Sequence, residues 1–314
     1  MEDSLSIIRS TVNLFLFSLI FFSFYYYILI LFIPYSLFLH FISIISFTLL
    51  SLFFIFIVIK DKIKIYLLIS FITIIILIEE LLLISLYVMY GLILNILLII
   101  FLPLFTNFSR NKNLKILFES VALILISRTV LVAFPSQFLI SAYSMIILYS
   151  FLLITIVIYL YIRKIPNEDI RLYKGNSSLL LQIIIGLIVG IFIGITEYYV
   201  LKLKITLFEN LLQVILYVIF VMILVGFAEE ILFRGMFQTY LEKIIPKPHA
   251  IFLASLIFGL MHSGWLNPWE VILAYGAGLV FGLFAYFHDS LVTPISAHFS
   301  GNVTLYLIAI FFAS

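Results

Sequence analysis

The stretch Gly226-Phe-Ala-Glu-Glu-Ile-Leu-Phe-Arg-Gly-Met-Phe237 puts two carboxylates and a guanidinium into a run that otherwise reads as lipid-soluble helix. A charged side chain at membrane depth costs about 2.5–3.5 kcal/mol on insertion scales, so it needs a partner or a task. Glu230 and Arg234 stand four residues apart, on one helix face, where they can neutralise each other. Glu229 points to an adjoining face and has no such partner in its own helix. The rest of the chain is read as the shell that holds this carboxylate.

The surroundings of the stretch decide the fold class. Of 314 residues, 65% are hydrophobic and 10% charged, with a mean hydropathy of +1.33. Soluble domains carry about 25% charge. The apolar runs are unbroken and lack the alternation of a membrane β-barrel. The expectation is an all-α, polytopic transmembrane helical bundle, integral and multi-pass. About eleven spans are expected, at 10–33, 35–59, 65–89, 91–108, 116–134, 139–162, 179–200, 210–236, 250–263, 271–287 and 291–313. The splits at Pro34, Gly91 and Pro135 are inferred from length.

Charge orients the bundle. Arg9, Lys60, Lys62, Lys64, Arg110, Lys112, Lys115, Arg163, Lys164, Arg171, Lys174, Lys243 and Lys247 fall on one side, against Lys202 and Lys204 on the other. The bias predicts a cytoplasmic N-terminus and an external C-terminus; in a prokaryote the membrane would be the cell membrane. The first apolar run reads as a retained anchor, since no strongly basic segment precedes it. The net charge of +2 forms no basic stripe, so nucleic acid is not an expected partner. The absence of cysteine removes thiol catalysis and Cys-ligated zinc.

Residues 163–178 are polar and read as a linker between an N-terminal helical region of unknown role, 1–162, and a C-terminal region, 179–314. Arg128 lies at a depth similar to Glu79 and Glu80, and an ion pair between them is expected to tie two spans. His40 reads as a packed or interfacial histidine. Glu197, beside Tyr198 and Tyr199 at the end of its span, reads as an interface residue.

The chemistry is expected in the C-terminal half. Glu229 lies 14 residues before Lys243, and His262 lies 15 after Lys247, so both are about 20 Å from the basic end. His298 lies nine residues past Asp289, about 13 Å in, with Asn302 one turn deeper on the same face. Three helices can then point a carboxylate, two imidazoles and an amide into one cavity. Small residues such as Gly259, Ser263, Ala297 and Gly301 would let the helices approach closely. A single buried His or Asn is more often an interhelical hydrogen bond; four at compatible depths favour chemistry. A carboxylate beside an imidazole can activate water. A second imidazole and an amide can donate to an oxyanion. The set suits a peptidase with neither Ser nor Cys as nucleophile.

Glu229-Glu230-x-x-x-Arg234, Phe258-x-x-x-His262 and His298-x-x-x-Asn302, in this order, resemble the CPBP family of intramembrane proteases. That family includes type II CAAX prenyl endopeptidases and bacteriocin-processing, Abi-like enzymes. The resemblance covers about 178–314. It implies a CAAX-protease-like core with a cavity reached from the cytosol or laterally from lipid. It implies that Glu229 is the general base, His262 its partner on water, and His298 and Asn302 the oxyanion site. Glu230 and Arg234 would orient the helix and the catalytic Glu, and Phe258 would support the site. The substrate would be a membrane-associated peptide or protein: a prenylated CAAX tail, a leader peptide or a transmembrane segment. No cofactor is required on this reading. If zinc is present, its ligands would be Glu229, His262 and His298, the metalloprotease variant of the reading. The rival readings are a proton- or cation-coupled transporter and a noncatalytic membrane partner.

Overall fold

A computed structural model describes residues 63–85, 87–107, 111–133, 142–203 and 211–312. The spans expected at 10–33 and 35–59, their split at Pro34, His40, and the split at Pro135 lie outside these residues. Every regular element described is helical. The helices are α1 (Ile63–Leu83), α2 (Val88–Asn107), α3 (Lys112–Ala133), α4 (Ala142–Arg163), α5 (Leu179–Leu201), α6 (Leu211–Glu230), α7 (Lys247–Met261), α8 (Pro268–His288) and α9 (Val292–Phe311). Among the described residues, four helical stretches are long and apolar enough to cross a membrane: Met145–Arg163, Leu179–Leu201, Pro268–His288 and Val292–Phe311. Their outward faces carry bare apolar side chains such as Leu180, Phe192 and Phe287. In water these would be a liability; in lipid they are solvated. The protein is an integral membrane protein.

The chain divides into two compact units, Met1–Leu94 and Asn95–Ser314. In the first, α1 ends at Leu83 and the chain turns before Gly91, earlier than expected. Ser85 makes the turn: its hydroxyl donates to Leu82 O at 2.9 Å and accepts from Tyr87 N at 3.1 Å. Gly91 instead allows close packing on Leu83 across the turn. The expected pairing of Arg128 with Glu79 or Glu80 involves residues of different units and stays an expectation.

In the second unit, Asn111 caps α3, its Oδ1 accepting from Asn113 N and Leu114 N at 3.0 and 3.3 Å. Helices α3 and α4 are tied through Glu119, which accepts from Tyr159 at 2.7 Å and pairs with Arg163. Among the described helices, α5 and α9 pack most extensively on each other. Gly186, Gly190 and Gly194 recur every fourth residue and form a flat strip on α5. A Cβ at Gly190 would overlap Ala297 O and Ser300 Oγ, and one at Gly194 would overlap Gly301 O. Ser300 Oγ also donates to Leu187 O at 3.1 Å. The strip therefore sets the position of the helix that carries His298 and Asn302. Gly190→Ala should cost about 1–3 kcal/mol, because backbone on α9 must give way. Thermal unfolding in detergent reads that loss. Activity should fall further than stability, since the displaced helix bears two site residues. Unchanged melting and activity would show that the close approach is dispensable.

The polar stretch 163–178 is not a free linker; it is built into the end of the bundle. Ile170 is fully buried, in a short 3-10 turn Asn167–Ile170. Buried Arg171 forks onto Glu242, with Nη1 and Nη2 donating at 3.1 and 2.6 Å, while its Nε donates to Asp289 at 3.1 Å. Burial pushes the guanidinium's pKa down, but the bonds and charge of Glu242, then Asp289, more than reverse this and hold it above its ordinary value. The hydrogen bond to Asp289 likewise holds the Tyr173 phenol above its usual range. Lys243 reaches Asp169 at 3.0 Å. Composition marks such a stretch as polar; it does not reveal that the charges are paired with one another.

Candidate active site

Helix α6 does not continue as a regular α-helix through the motif, as the sequence suggests. Residues Ile231–Gln238 wind as a π-helix, and Thr239–Glu242 return to α geometry. All eight residues of the wide segment are buried. Thr239 Oγ1 donates to Arg234 O, five residues back, at 2.8 Å. Such wide turns are rare and gather at functional sites.

The segment holds Arg234 in the core. Its Nη1 donates to Glu230 Oε1 at 2.8 Å, the pair expected from the spacing, and both side chains are at most 1% exposed. The guanidinium carbon lies 4.1 Å from the Phe258 ring centre and 5.3 Å from that of Phe281, so two aromatic faces share its charge. Its Nη2 donates to Gly278 O at 3.3 Å.

Glu230 does more than neutralise Arg234. The same Oε1 accepts from His298 Nδ1 at 2.7 Å. It thereby orients the imidazole of α9 and ties it to α6. The other side of that ring faces Glu229: His298 Nε2 is 3.7 Å from Glu229 Oε2. Phe281 stacks on the ring at 5.6 Å, and Phe258 meets it edge-on at 5.9 Å.

His262 closes α7 and begins a 3-10 turn, His262–Trp265. Its Nδ1 donates to Phe258 O at 2.9 Å, which fixes the tautomer and leaves the Nε2 lone pair for a second partner. Its ring lies 4.8 Å from Phe258. Phe258 thus touches both imidazoles and the guanidinium, and it acts as the spacer of the site. Arg128 Nη2 donates to Ser263 Oγ at 3.0 Å, which holds the turn that follows His262.

The structure brings His262, His298 and Asn302 to the wall of one cavity; Glu229 flanks it beside His298 and does not line it. The space open to water centres is about 30 Å³, room for one or two waters. Glu197 and Glu270 line the same cavity. Glu197, expected at the lipid interface, is therefore a cavity residue: the end of its helix borders the site as well as the lipid. Glu270 was not singled out, since an acid in the first turn of a helix is ordinary.

Tyr149 on α4 was also missed. Its hydroxyl donates to Glu229 Oε1 at 2.7 Å, so the carboxylate is held on one oxygen by Tyr149 and faces His298 with the other. Nothing in a chain with 19 tyrosines marks this one. Tyr149→Phe removes one charge-assisted bond, worth about 1.5–3 kcal/mol. The expected result is a roughly tenfold or greater loss of activity, by the same arithmetic, in a protein that still folds. Equal activity of the two forms would mean that Glu229 is positioned by its helix alone.

Metal binding can be weighed on the donors present. Both imidazoles spend Nδ1 on protein acceptors, which leaves Nε2 of each for another partner. Among the described residues, no three His, Asp or Glu side chains are spaced to hold one ion. The trio Glu229, His262 and His298 would have to close up to do so.

The fold and site define a helical membrane protein in which His262 and His298 line a water-sized cavity within the bundle, with Glu229 beside His298. Residues 211–304 match the family model described as "Type II CAAX prenyl endopeptidase Rce1-like". The match covers 94 of the 314 residues, and the likeness to that family lies in this segment. It is 35% identical over 84 residues to "Uncharacterized protein YpbD" of Bacillus subtilis (strain 168), across 26% of this chain and 40% of that protein. The chain thus spans less than half the length of the curated relative it matches. No solved structure matches the chain.

Proposed function

We propose that the chain is an intramembrane endopeptidase that hydrolyses a peptide bond of a membrane-associated substrate, with 179–314 as its catalytic region. The observation that carries this reading is the chain of contacts from Arg234 through Glu230 to His298 and on to Glu229, across two helices and beside a water-sized cavity. A structural ion pair needs only two members. The further contacts aim an imidazole edge at a second carboxylate.

In the proposed reaction, Glu229 takes a proton from water whose oxygen attacks the scissile carbonyl carbon. His262, with its Nε2 lone pair free, accepts a hydrogen bond from that water and orients it. The carbonyl oxygen becomes an oxyanion, which accepts from Asn302 and His298. His298 already donates through Nδ1 to Glu230, so it can donate from Nε2 only as the imidazolium; with Glu230 paired to Arg234, Glu229 balances that charge before the attack and the oxyanion after it. Glu229 then passes its proton to the leaving amine as the C–N bond breaks. Glu230 and Arg234 position His298 and do not react. This sequence needs no metal. Zinc on Glu229, His262 and His298 is the alternative, and metal analysis with activity in strong chelator separates the two. The cytoplasmic placement of the N-terminus and of the basic clasp at 163–178 belongs to the same proposal.

Comparative proteomics of membranes from cells carrying the wild type or Glu229→Gln tests the reading. A peptide cut only by the wild type is the expected result. Identical peptide sets, with flux through sealed vesicles that Glu229→Gln abolishes, would overturn it in favour of transport.

A further inference from the structure

Beyond the reacting groups, the cavity holds two carboxylates that the proposed reaction does not use. Glu270 is in the first turn of α8, whose N-terminus is capped by Asn267, the side chain accepting from Trp269 N at 3.0 Å. Glu270 is 1% exposed, and its Oε2 has no hydrogen-bond partner among the described residues. A buried carboxylate oxygen left without a partner is costly, and natural folds keep few of them without reason. Glu197, half-buried four residues before the end of α5, faces the same space. No lysine or arginine is among the described residues that line the cavity. Asn267 Nδ2 donates to Val200 O at 3.0 Å, which locks the two helix ends that carry these acids together.

We infer that Glu197 and Glu270 form a subsite for an ammonium group of the substrate peptide. The inference rests on the endopeptidase reading for its substrate and names the class of peptide that the site selects. Two carboxylates that face no cation among the described residues attract one, and burial strengthens the bonds that it makes. The cavity has room for groups of water size, which suits an ammonium better than a planar guanidinium. The subsite lies toward the end of the bundle opposite the basic clasp. Helix α7 runs from Lys247 at the clasp to Met261, and Glu270 follows it in the first turn of the next helix. Trp265 and Trp269, both exposed, lie in the connection at that end, as aromatic side chains do at a membrane surface. The cationic residue of the peptide would then lie on the side of the scissile bond nearer that end. The ammonium can come from a lysine side chain or from a free N-terminus.

The test uses the full chain in lipid nanodiscs and a set of short, fluorescent, apolar peptides. Each carries lysine or norleucine at one position, with a free or acetylated N-terminus. Binding is measured to the Glu229→Gln form, which removes turnover. At one position, lysine should bind at least roughly tenfold more tightly than norleucine, as one buried charge pair provides. Glu270→Gln and, separately, Glu197→Gln in the same background should collapse that ratio toward one. Thermal unfolding checks that each is folded, and the half-buried Glu197 gives a usable variant if Glu270→Gln fails to fold. A preference that follows the free N-terminus identifies the amine as the source; one that survives acetylation identifies the side chain. Equal binding of lysine and norleucine peptides, or a ratio unmoved by both substitutions, overturns the inference. A lysine preference in binding with no cleavage of any peptide by the wild type keeps the subsite and removes the endopeptidase.

Discussion

Glu229→Gln is expected to lower the rate of peptide-bond cleavage about a thousandfold, within the range of 10²–10⁴ that general-base catalysis supplies, and to leave the fold intact. The carboxamide keeps the shape of the side chain. Its oxygen can still accept from the Tyr149 hydroxyl, now at 2.7 Å from Glu229 Oε1. What is lost is the ability to take a proton from water. The melting temperature of purified protein should therefore stay near that of the wild type. Glu229→Asp should retain part of the activity, because the base survives but draws back from the cavity by one methylene. A Glu229→Gln protein that cleaves at the wild-type rate would end the case for this carboxylate as the base.

Glu230→Gln should show the opposite pattern, with stability and activity lost together. Glu230 is fully buried and receives both Arg234 and His298 on one oxygen. Neutralising it leaves the guanidinium among aromatic rings without its counter-charge. Breaking a buried pair on one side costs about 3–5 kcal/mol. The His298 ring would also lose the carboxylate that fixes its orientation. The discriminating measurement is the double variant Glu230→Gln with Arg234→Met. Removing both charges should restore much of the melting temperature, since no bare ion remains. Activity should not return, because His298 still lacks its partner. If the double variant regains both, Glu230 is a structural residue alone. The contrast between adjacent glutamates is the sharpest available test of the roles assigned to them.

Part of this was legible in the sequence because membranes simplify the problem. Long apolar runs have to be helices, so residue counts become depths. Counting from Lys243, Lys247 and Asp289 brought Glu229, His262 and His298 to compatible levels, and the structure places them around one cavity or beside it. The Glu230–Arg234 pair followed from spacing alone. Depth does not give the facing of a helix or its neighbours, and there the reading ran out. That Glu230 grips His298 depends on how α6 and α9 are rotated. Tyr149 comes from a helix outside the motifs. Glu197 was assigned to the interface because position along the chain says nothing of which side it faces. The strip Gly186, Gly190 and Gly194 carries a readable signal, the four-residue spacing of small residues, but the spacing does not name the helix that packs on it. The clasp at 163–178 was illegible for another reason: its partners, Glu242 and Asp289, are distant in sequence.

The wide turns of Ile231–Gln238 bear on how this chain can vary. They follow directly after the two glutamates and take up an eight-residue stretch between two lengths of ordinary helix. Shortening the stretch by a single residue would let it wind in the narrower way, and seven residues at about 100° each turn the chain nearly as far as eight in the wider turns. The helices on either side would then keep nearly the same azimuth. What would change is the placing of Arg234, which reaches Glu230, the Phe258 ring and Gly278 O from inside the stretch. A deletion after Arg234 should therefore be tolerated better than one between Glu230 and Arg234.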